Sequence, residues 1–123
     1  MTTILIVDDE EGFRHILQVI LQRAGYTTIS VRDAFEAAHM VATKAIQLII
    51  LDDMMPGKSG SEWCMEMKSN EDTRHIPIIM HSANSKLHNK AYAQTIGAQS
   101  VLLKPCSPRE IVAAVQQFAQ VGV

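Results

Sequence analysis

Cysteine is scarce: only Cys64 and Cys106 occur in 123 residues. Two are too few for a disulfide framework, and their separation is not that of zinc-ligand pairs, so both read as reduced thiols. Aromatic residues make up only 5% of the chain, which leaves the core to aliphatic side chains, since 47% of residues are hydrophobic. Neither sign of charge dominates. A net charge of −2 gives no electrostatic reason to expect nucleic-acid or acidic-membrane binding. No apolar run approaches the roughly 18 residues of a membrane span, and no secretory leader is recognisable. Low-complexity segments and internal repeats are absent too. These absences lead us to expect a cytoplasmic protein that touches neither membrane nor nucleic acid directly. Its length suits one domain, residues 1–123, with a core that needs no disulfide or structural metal.

What is present is an alternation of short apolar runs and amphipathic segments. Residues 4–7 (ILIV) form an all-apolar run, as expected of a strand buried on both faces. In the helix that follows, Phe13, Ile16, Leu17, Ile20 and Leu21 fall on one stripe, and Gly25 stops it. TTISV (27–31) is β-branched and strand-like, and 33–45 reads as an alanine-rich helix with Asp33 as N-cap. LIIL (48–51) is the third strand, 61–68 a helix and 69–75 a loop. Residues 76–82 (IPIIMHS) read as the fourth strand, with Pro77 tolerable only near its start. Residues 86–96 form a helix closed by Gly97, and SVLLK (100–104) the fifth strand. The last helix has Ser107 as cap, Pro108 in its first position and Glu110 completing a capping box, and runs to about Gln120. Strands alternating with helices predict an α/β, doubly wound five-stranded parallel sheet with five helices. The order 2-1-3-4-5 is the natural candidate among such sheets.

Ligands of these sheets bind beyond the carboxyl ends of the strands, where the strand order reverses. Asp8 and Asp9 follow the first strand, Asp52 and Asp53 the third, while Ser82 ends the fourth and Lys104 the fifth. Two like charges about 4 Å apart repel by roughly 4 kcal/mol at an effective dielectric near 20. Carboxylates gathered there must raise their pKa values or recruit a cation. Oxygen donors of this kind suit Mg²⁺, with Mn²⁺ as a substitute. A divalent ion, Lys104 and the water expected at strand ends would balance the charge. Asp53 reads as a solvated rim charge rather than a ligand.

Four motifs in order, VDDE (7–10), LDDMMPGKSG (51–60), HSA (81–83) and LKP (103–105), resemble those of response-regulator receiver domains, and the resemblance covers the whole chain. It implies a flavodoxin-like fold and a two-component phosphoacceptor switch. Asp52, four residues before Pro56, would take a phosphoryl group from the phosphohistidine of a sensor histidine kinase or phosphotransfer protein. Asp9, Asp52 and the Met54 backbone carbonyl would bind Mg²⁺ directly, and Asp8 mainly through water. Lys104 and Ser82 would contact the phosphoryl group, and the Lys104–Pro105 bond would be cis. The surface of the fourth helix, fifth strand and fifth helix would carry the signal to an output protein.

Some positions depart from the family pattern. Val101 stands where an aromatic switch residue is usual, and Cys106 follows the Lys-Pro pair; Met54 and Asn84 occupy positions that tune water access to the acyl phosphate. Val101 motivates a second reading, a receiver-fold docking domain with weak or silent switching. An aspartate-based phosphohydrolase of the haloacid dehalogenase type would want an aspartate at the position of Met54, and room for a cap domain. A flavodoxin-like cofactor binder would want a Gly/Ser/Thr-rich cradle where this chain has DDEE. The five histidines, His15, His39, His75, His81 and His88, read as structural or surface residues rather than phosphodonors. For His81, on a buried strand, the expectation is a neutral, hydrogen-bonded imidazole. Met54, Met55, Met65, Met67 and Met80 read as soft core and turn, and Trp63 as packing the third helix on the sheet.

Overall fold

A computed structural model of the chain describes residues 2–83 and 90–119. The strands are β1 (Thr3–Val7), β2 (Thr27–Val31), β3 (Leu48–Leu51), β4 (Ile78–Ser82) and β5 (Ser100–Leu103). They pair in parallel in the order β2-β1-β3-β4-β5, the order expected from the sequence. The helices are α1 (Glu11–Arg23), α2 (Ala34–Thr43), α3 (Gly60–Ser69), α4 (Lys90–Ile96) and α5 (Pro108–Ala119).

Strand residues alternate between faces, so the all-apolar strands feed two cores. Ile4, Ile6, Leu48, Ile50 and Ile79 pack with Leu17 and Leu21 of α1 and Ile111, Ala114 and Val115 of α5. Leu5, Val7, Ile49, Leu51, Ile78 and Met80 pack with Ala34 and Ala37 of α2, Trp63, Cys64 and Met67 of α3, and Ile96 of α4. Trp63 thus seats α3 on the sheet as expected.

Helix ends follow local chemistry. Asp33 caps α2 by accepting from the Glu36 amide, and Ser107 accepts from the Glu110 amide at the start of α5. Gly25 and Gly97 take positive φ, 98° and 86°, where the chain leaves α1 and α4.

Several expectations need correction. Pro77 precedes β4 rather than lying in it; its carbonyl instead accepts from the Ile49 amide. Helix α3 begins earlier than expected because Ser59 and Glu62 form a capping box. Ile16 lies on the exposed side of α1, since the apolar stripe is narrower than its residue types suggested. Met55, Met67 and Met80 are buried and Met54 is exposed in the turn, as expected of core and turn, but Met65 is exposed on α3 and belongs to neither. Asn84, His88, the predicted helical residues 86–89 and the end of the last helix at Gln120 lie outside the described residues.

Candidate functional site

The register of the central strands builds the site. Val7 lies opposite both Val31 and Leu51, and the ladder runs one residue further. The Asp52 amide donates to the Val7 carbonyl (2.8 Å) and the Asp8 amide to the Val31 carbonyl (3.1 Å). Asp8 and Asp52 therefore leave adjacent strands side by side. At the other edge the Lys104 amide donates to the Ser82 carbonyl, which holds the end of β5 beside β4.

Lys104 reaches across from that edge. Its ammonium lies 2.7 Å from an Asp8 carboxylate oxygen and 3.6 Å from Asp52 and Glu10. It also stands 4.0 Å from the centre of the Phe13 ring, a cation–π contact. Burial alone would lower the Lys104 pKa, but the hydrogen bond to Asp8 and the charges of Asp52, Asp8 and Glu10 raise it. The remaining Asp8 oxygen accepts from the Glu10 amide (2.9 Å), and the Asp8 carbonyl accepts from Arg14 (2.7 Å).

Lys104 balances the acids as expected, but these strand ends do not face water. Asp8 is 1% and Asp52 3% exposed. Burial first, then the Asp8 charge, and least the Asp9 charge raise the Asp52 carboxyl to about 6 against the opposing Lys104 charge and Met54 amide. Asp9 itself is exposed. Oxygens of Asp8, Asp9 and Glu10 can gather within 4.8 Å of one another.

The turn after Asp52 is held from behind. Asp53 is 8% exposed and is no rim charge. Its carboxylate accepts from the Ser61 amide (2.8 Å) and the Ser61 hydroxyl, and its carbonyl accepts from the Met55 and Gly60 amides. Gly60 lies so close to Asp52 that a Cβ there would come within 2.8 Å of the Asp52 carbonyl carbon and nearer still to its oxygen.

Residues 4–116 match the response regulator receiver domain family. The chain belongs to that family. The phosphate regulon transcriptional regulatory protein PhoB of Pseudomonas aeruginosa is 41% identical over 111 residues, 90% of this chain and 48% of that protein. The chain thus spans about half the length of that regulator. The receiver domain of a signal transduction histidine kinase from Syntrophus aciditrophicus superposes with a TM-score of 0.89 at 30% identity, over 98% of this chain and 92% of that one. The response regulator TrrA of Thermotoga maritima, solved in complex with Mg(2+)-BeF, superposes with a TM-score of 0.86 at 29% identity, over 96% and 99% of the two chains. Receiver domains are the signalling domains of two-component systems and pair with histidine kinases.

In this receiver domain Asp8, Asp52 and Lys104 meet as the sequence implied, and Ser82 is buried at the end of the neighbouring β4. Lys104–Pro105 is cis. Val101 lies opposite Met80 and packs partly buried against the core of the α2–α3–α4 face. Met54 presents its amide to Asp52 while its side chain is 64% exposed.

His81 departs from expectation. It is buried on the α1 side and packs edge-on against Phe13, with ring centroids 5.9 Å apart. Neither ring nitrogen has a hydrogen-bond partner among the described residues. Burial, then the Lys104 charge, lowers its pKa to about 4 against a smaller upward pull from Asp8, so the ring is neutral but not hydrogen-bonded as expected.

Sequence reasoning missed Glu10, Phe13, Gly60 and Ser61. Glu10 was legible as the third acid of the DDEE run, and Ser59-x-x-Glu62 as a capping box. Phe13 was assigned to the core, with no signal that its ring would lie beneath Lys104. Among the described residues no helix is long and apolar enough to cross a membrane.

Proposed function

We propose that this chain, residues 1–123 acting as one receiver unit in the cytoplasm, is a phosphoacceptor switch in which Asp52 accepts a phosphoryl group from a phosphohistidine. The observation that carries it is the Lys104 ammonium, held 2.7 Å from Asp8 and 3.6 Å from Asp52 at the buried ends of β1 and β3. A carboxylate there is a nucleophile once ionised, so no activating base is needed. One Asp52 oxygen forms the new P–O bond while the P–N bond to the donor imidazole breaks and that ring keeps the electron pair. Lys104 neutralises charge on the transferring group, and Ser82 would turn inward to hydrogen-bond it.

The donor set fits a hard divalent cation. It is all oxygen, it carries more negative charge than Lys104 neutralises, and the Asp52 pKa stays raised, by burial first and then by the Asp8 charge, despite Lys104. Asp9, Asp52 and the Met54 carbonyl would hold Mg²⁺ or Mn²⁺ directly, with Asp8 through water. When bound, the ion would supply charge stabilisation for the equatorial phosphoryl oxygens.

The acyl phosphate adds nearly two negative charges beside Lys104 and Ser82. Small shifts in α4, β5 and α5 would then alter the surface met by an output protein. The chain's balanced charge supports a protein partner rather than nucleic acid for that surface.

Incubation with acetyl phosphate and Mg²⁺ tests the proposal. Labelling is expected in the wild type and absent in Asp52→Asn; labelling that survives the substitution overturns it. The partly buried aliphatic Val101 supports a second reading, a docking domain with a silent switch. Equal partner affinity with and without beryllofluoride would favour it.

A further inference from the structure

The first amides of a helix have no partner inside it and must find one outside. In α3, Ser59 precedes the helix and Gly60, Ser61 and Glu62 supply its first three amides. The Glu62 amide goes to the Ser59 hydroxyl, as an ordinary cap would have it. The other two go to Asp53: the Gly60 amide to its carbonyl (2.9 Å) and the Ser61 amide to its carboxylate (2.8 Å). A second bond to the same carboxylate oxygen comes from the Ser61 hydroxyl.

A buried carboxylate is costly unless paired or hydrogen-bonded. The ion pairs of Lys104 run to Asp8, Glu10 and Asp52, whereas the Asp53 carboxylate turns to the positive end of α3 and the Ser61 donors. Asp53 therefore directs its charge at the helix, although it is the residue next to the acceptor.

The consequence falls on the turn between them. Of its three consecutive carbonyls, that of Asp52 is packed against Gly60 and that of Asp53 accepts from Met55 and Gly60. Among the described residues no donor reaches the Met54 carbonyl, which leaves it available to a cation, while the Met54 amide holds the Asp52 carboxylate. With β3 fixed by the sheet at one end and α3 by the Trp63 core at the other, the Asp53–Ser61 bonds fix the turn in between.

We propose that Asp53 is a positioning residue whose carboxylate locks the acceptor turn onto the first turn of α3, presetting the Asp52 carboxylate and the Met54 carbonyl for a divalent cation. This rests on the metal-assisted phosphoacceptor reading of the site. Groups that hold metal ligands in place without touching the ion typically contribute ten- to a hundredfold in affinity. An asparagine keeps an oxygen that accepts both Ser61 bonds and loses only the charge.

The test compares wild type, Asp53→Asn, Asp53→Ala and Ser61→Ala. Mg²⁺ affinity is measured by calorimetry, and hydrogen exchange of the Gly60 and Ser61 amides in EDTA. Asp53→Ala is expected to weaken Mg²⁺ binding about tenfold and to speed exchange at both amides, while Asp53→Asn stays within about threefold of wild type on both. Ser61→Ala keeps the amide and loses the hydroxyl, so it should fall between the two. It also carries the test if Asp53→Ala does not fold.

Mg²⁺ affinity unchanged in folded Asp53→Ala, or in Ser61→Ala where Asp53→Ala does not fold, would make Asp53 a helix cap only. Equal losses in Asp53→Asn and Asp53→Ala would make its charge, not its bonds, the operative feature. Either result overturns the proposal and leaves the phosphoacceptor reading standing. A wild type that takes up no Mg²⁺ would instead sink that reading, and this proposal with it.

Discussion

Replacing Asp52 should make the metal-free protein more stable, and the gain should depend on pH in a defined direction. Asp52 has an ordinary carboxyl pKa of 3.8 that the fold raises to about 6, first through burial and then through Asp8. That difference corresponds to about 3 kcal/mol of preference for the neutral form in the folded state. As pH falls from 7, the folded protein takes up a proton on Asp52 before the unfolded chain does. The stabilising contribution is therefore fully present below about 4 and is lost as pH rises through about 6. The amide introduced by Asp52→Asn would mimic the neutral acid at every pH. In EDTA at pH 7.5, Asp52→Asn should exceed wild type by about 2–3 kcal/mol, on the order of 10 °C in Tm for a chain of this size. Near pH 4 the two should coincide. Urea titrations followed by the fluorescence of Trp63, the single tryptophan, would measure the gap. Mg²⁺ at ten times its Kd should return about 1.4 kcal/mol to the wild type. A variant less stable than wild type at pH 7.5, or a gap constant from pH 4 to 8, would refute the electrostatic account of the site.

Lys104→Met leaves Asp8 buried without its main partner and should cost about 3 kcal/mol as well as phosphorylation, read by thermal unfolding and acetyl phosphate labelling. Gly60→Ala forces a methyl against the Asp52 carbonyl and should destabilise by about 3 kcal/mol, whereas the same change at Gly12, with open space around it, should not destabilise by overlap. His81→Leu removes two buried ring nitrogens that lack described partners and should stabilise by about 1–2 kcal/mol at pH 7. With its folded pKa lowered to about 4, the wild-type His81 contribution is present above 6.5 and lost as pH falls from there toward 4. Wild type should therefore lose about 3 kcal/mol across that window relative to His81→Leu in urea titrations. This slope is opposite in sign to that of Asp52, which is why each must be measured against its own variant.

The parts of the fold legible in the sequence are those governed by local pattern. LIIL and ILIV could only be strands buried on both faces, and the Asp33 and Ser107 caps mark their helices through side chains that reach a few residues along. The site was legible because parallel strands put all their carboxyl ends on one rim, so Asp8, Asp52, Ser82 and Lys104 had to share it. What escaped depends on partners distant in sequence. Nothing local to Asp53 says that Ser61 will be its donor, and nothing local to His81 says that Phe13 of α1 will cover it. The burial of Asp8 and Asp52 escaped for the same reason. A strand end faces water unless a side chain from elsewhere closes over it, and here Lys104, its side chain 5% exposed, arrives from β5 and lies across both acids.

That closure sets stability against function. A solvated Asp52 would stay ionised at little cost, but it would present no unmet demand for positive charge. Buried beside Asp8 with one shared ammonium, it keeps that demand, and the raised pKa measures it. In the phosphoacceptor role proposed above, a divalent cation would relieve the demand on binding, and Lys104, already 3.6 Å away, would follow the negative charge as it passes from carboxylate to phosphoryl group. Each step that relieves the crowding should therefore also stabilise the fold. Adding beryllofluoride to the Mg²⁺-loaded wild type should raise its Tm again, while Asp52→Asn, which has no crowding to relieve and no carboxylate oxygen to offer, should show no second rise. A second rise of equal size in both proteins would separate the stabilisation from Asp52 and place its origin elsewhere.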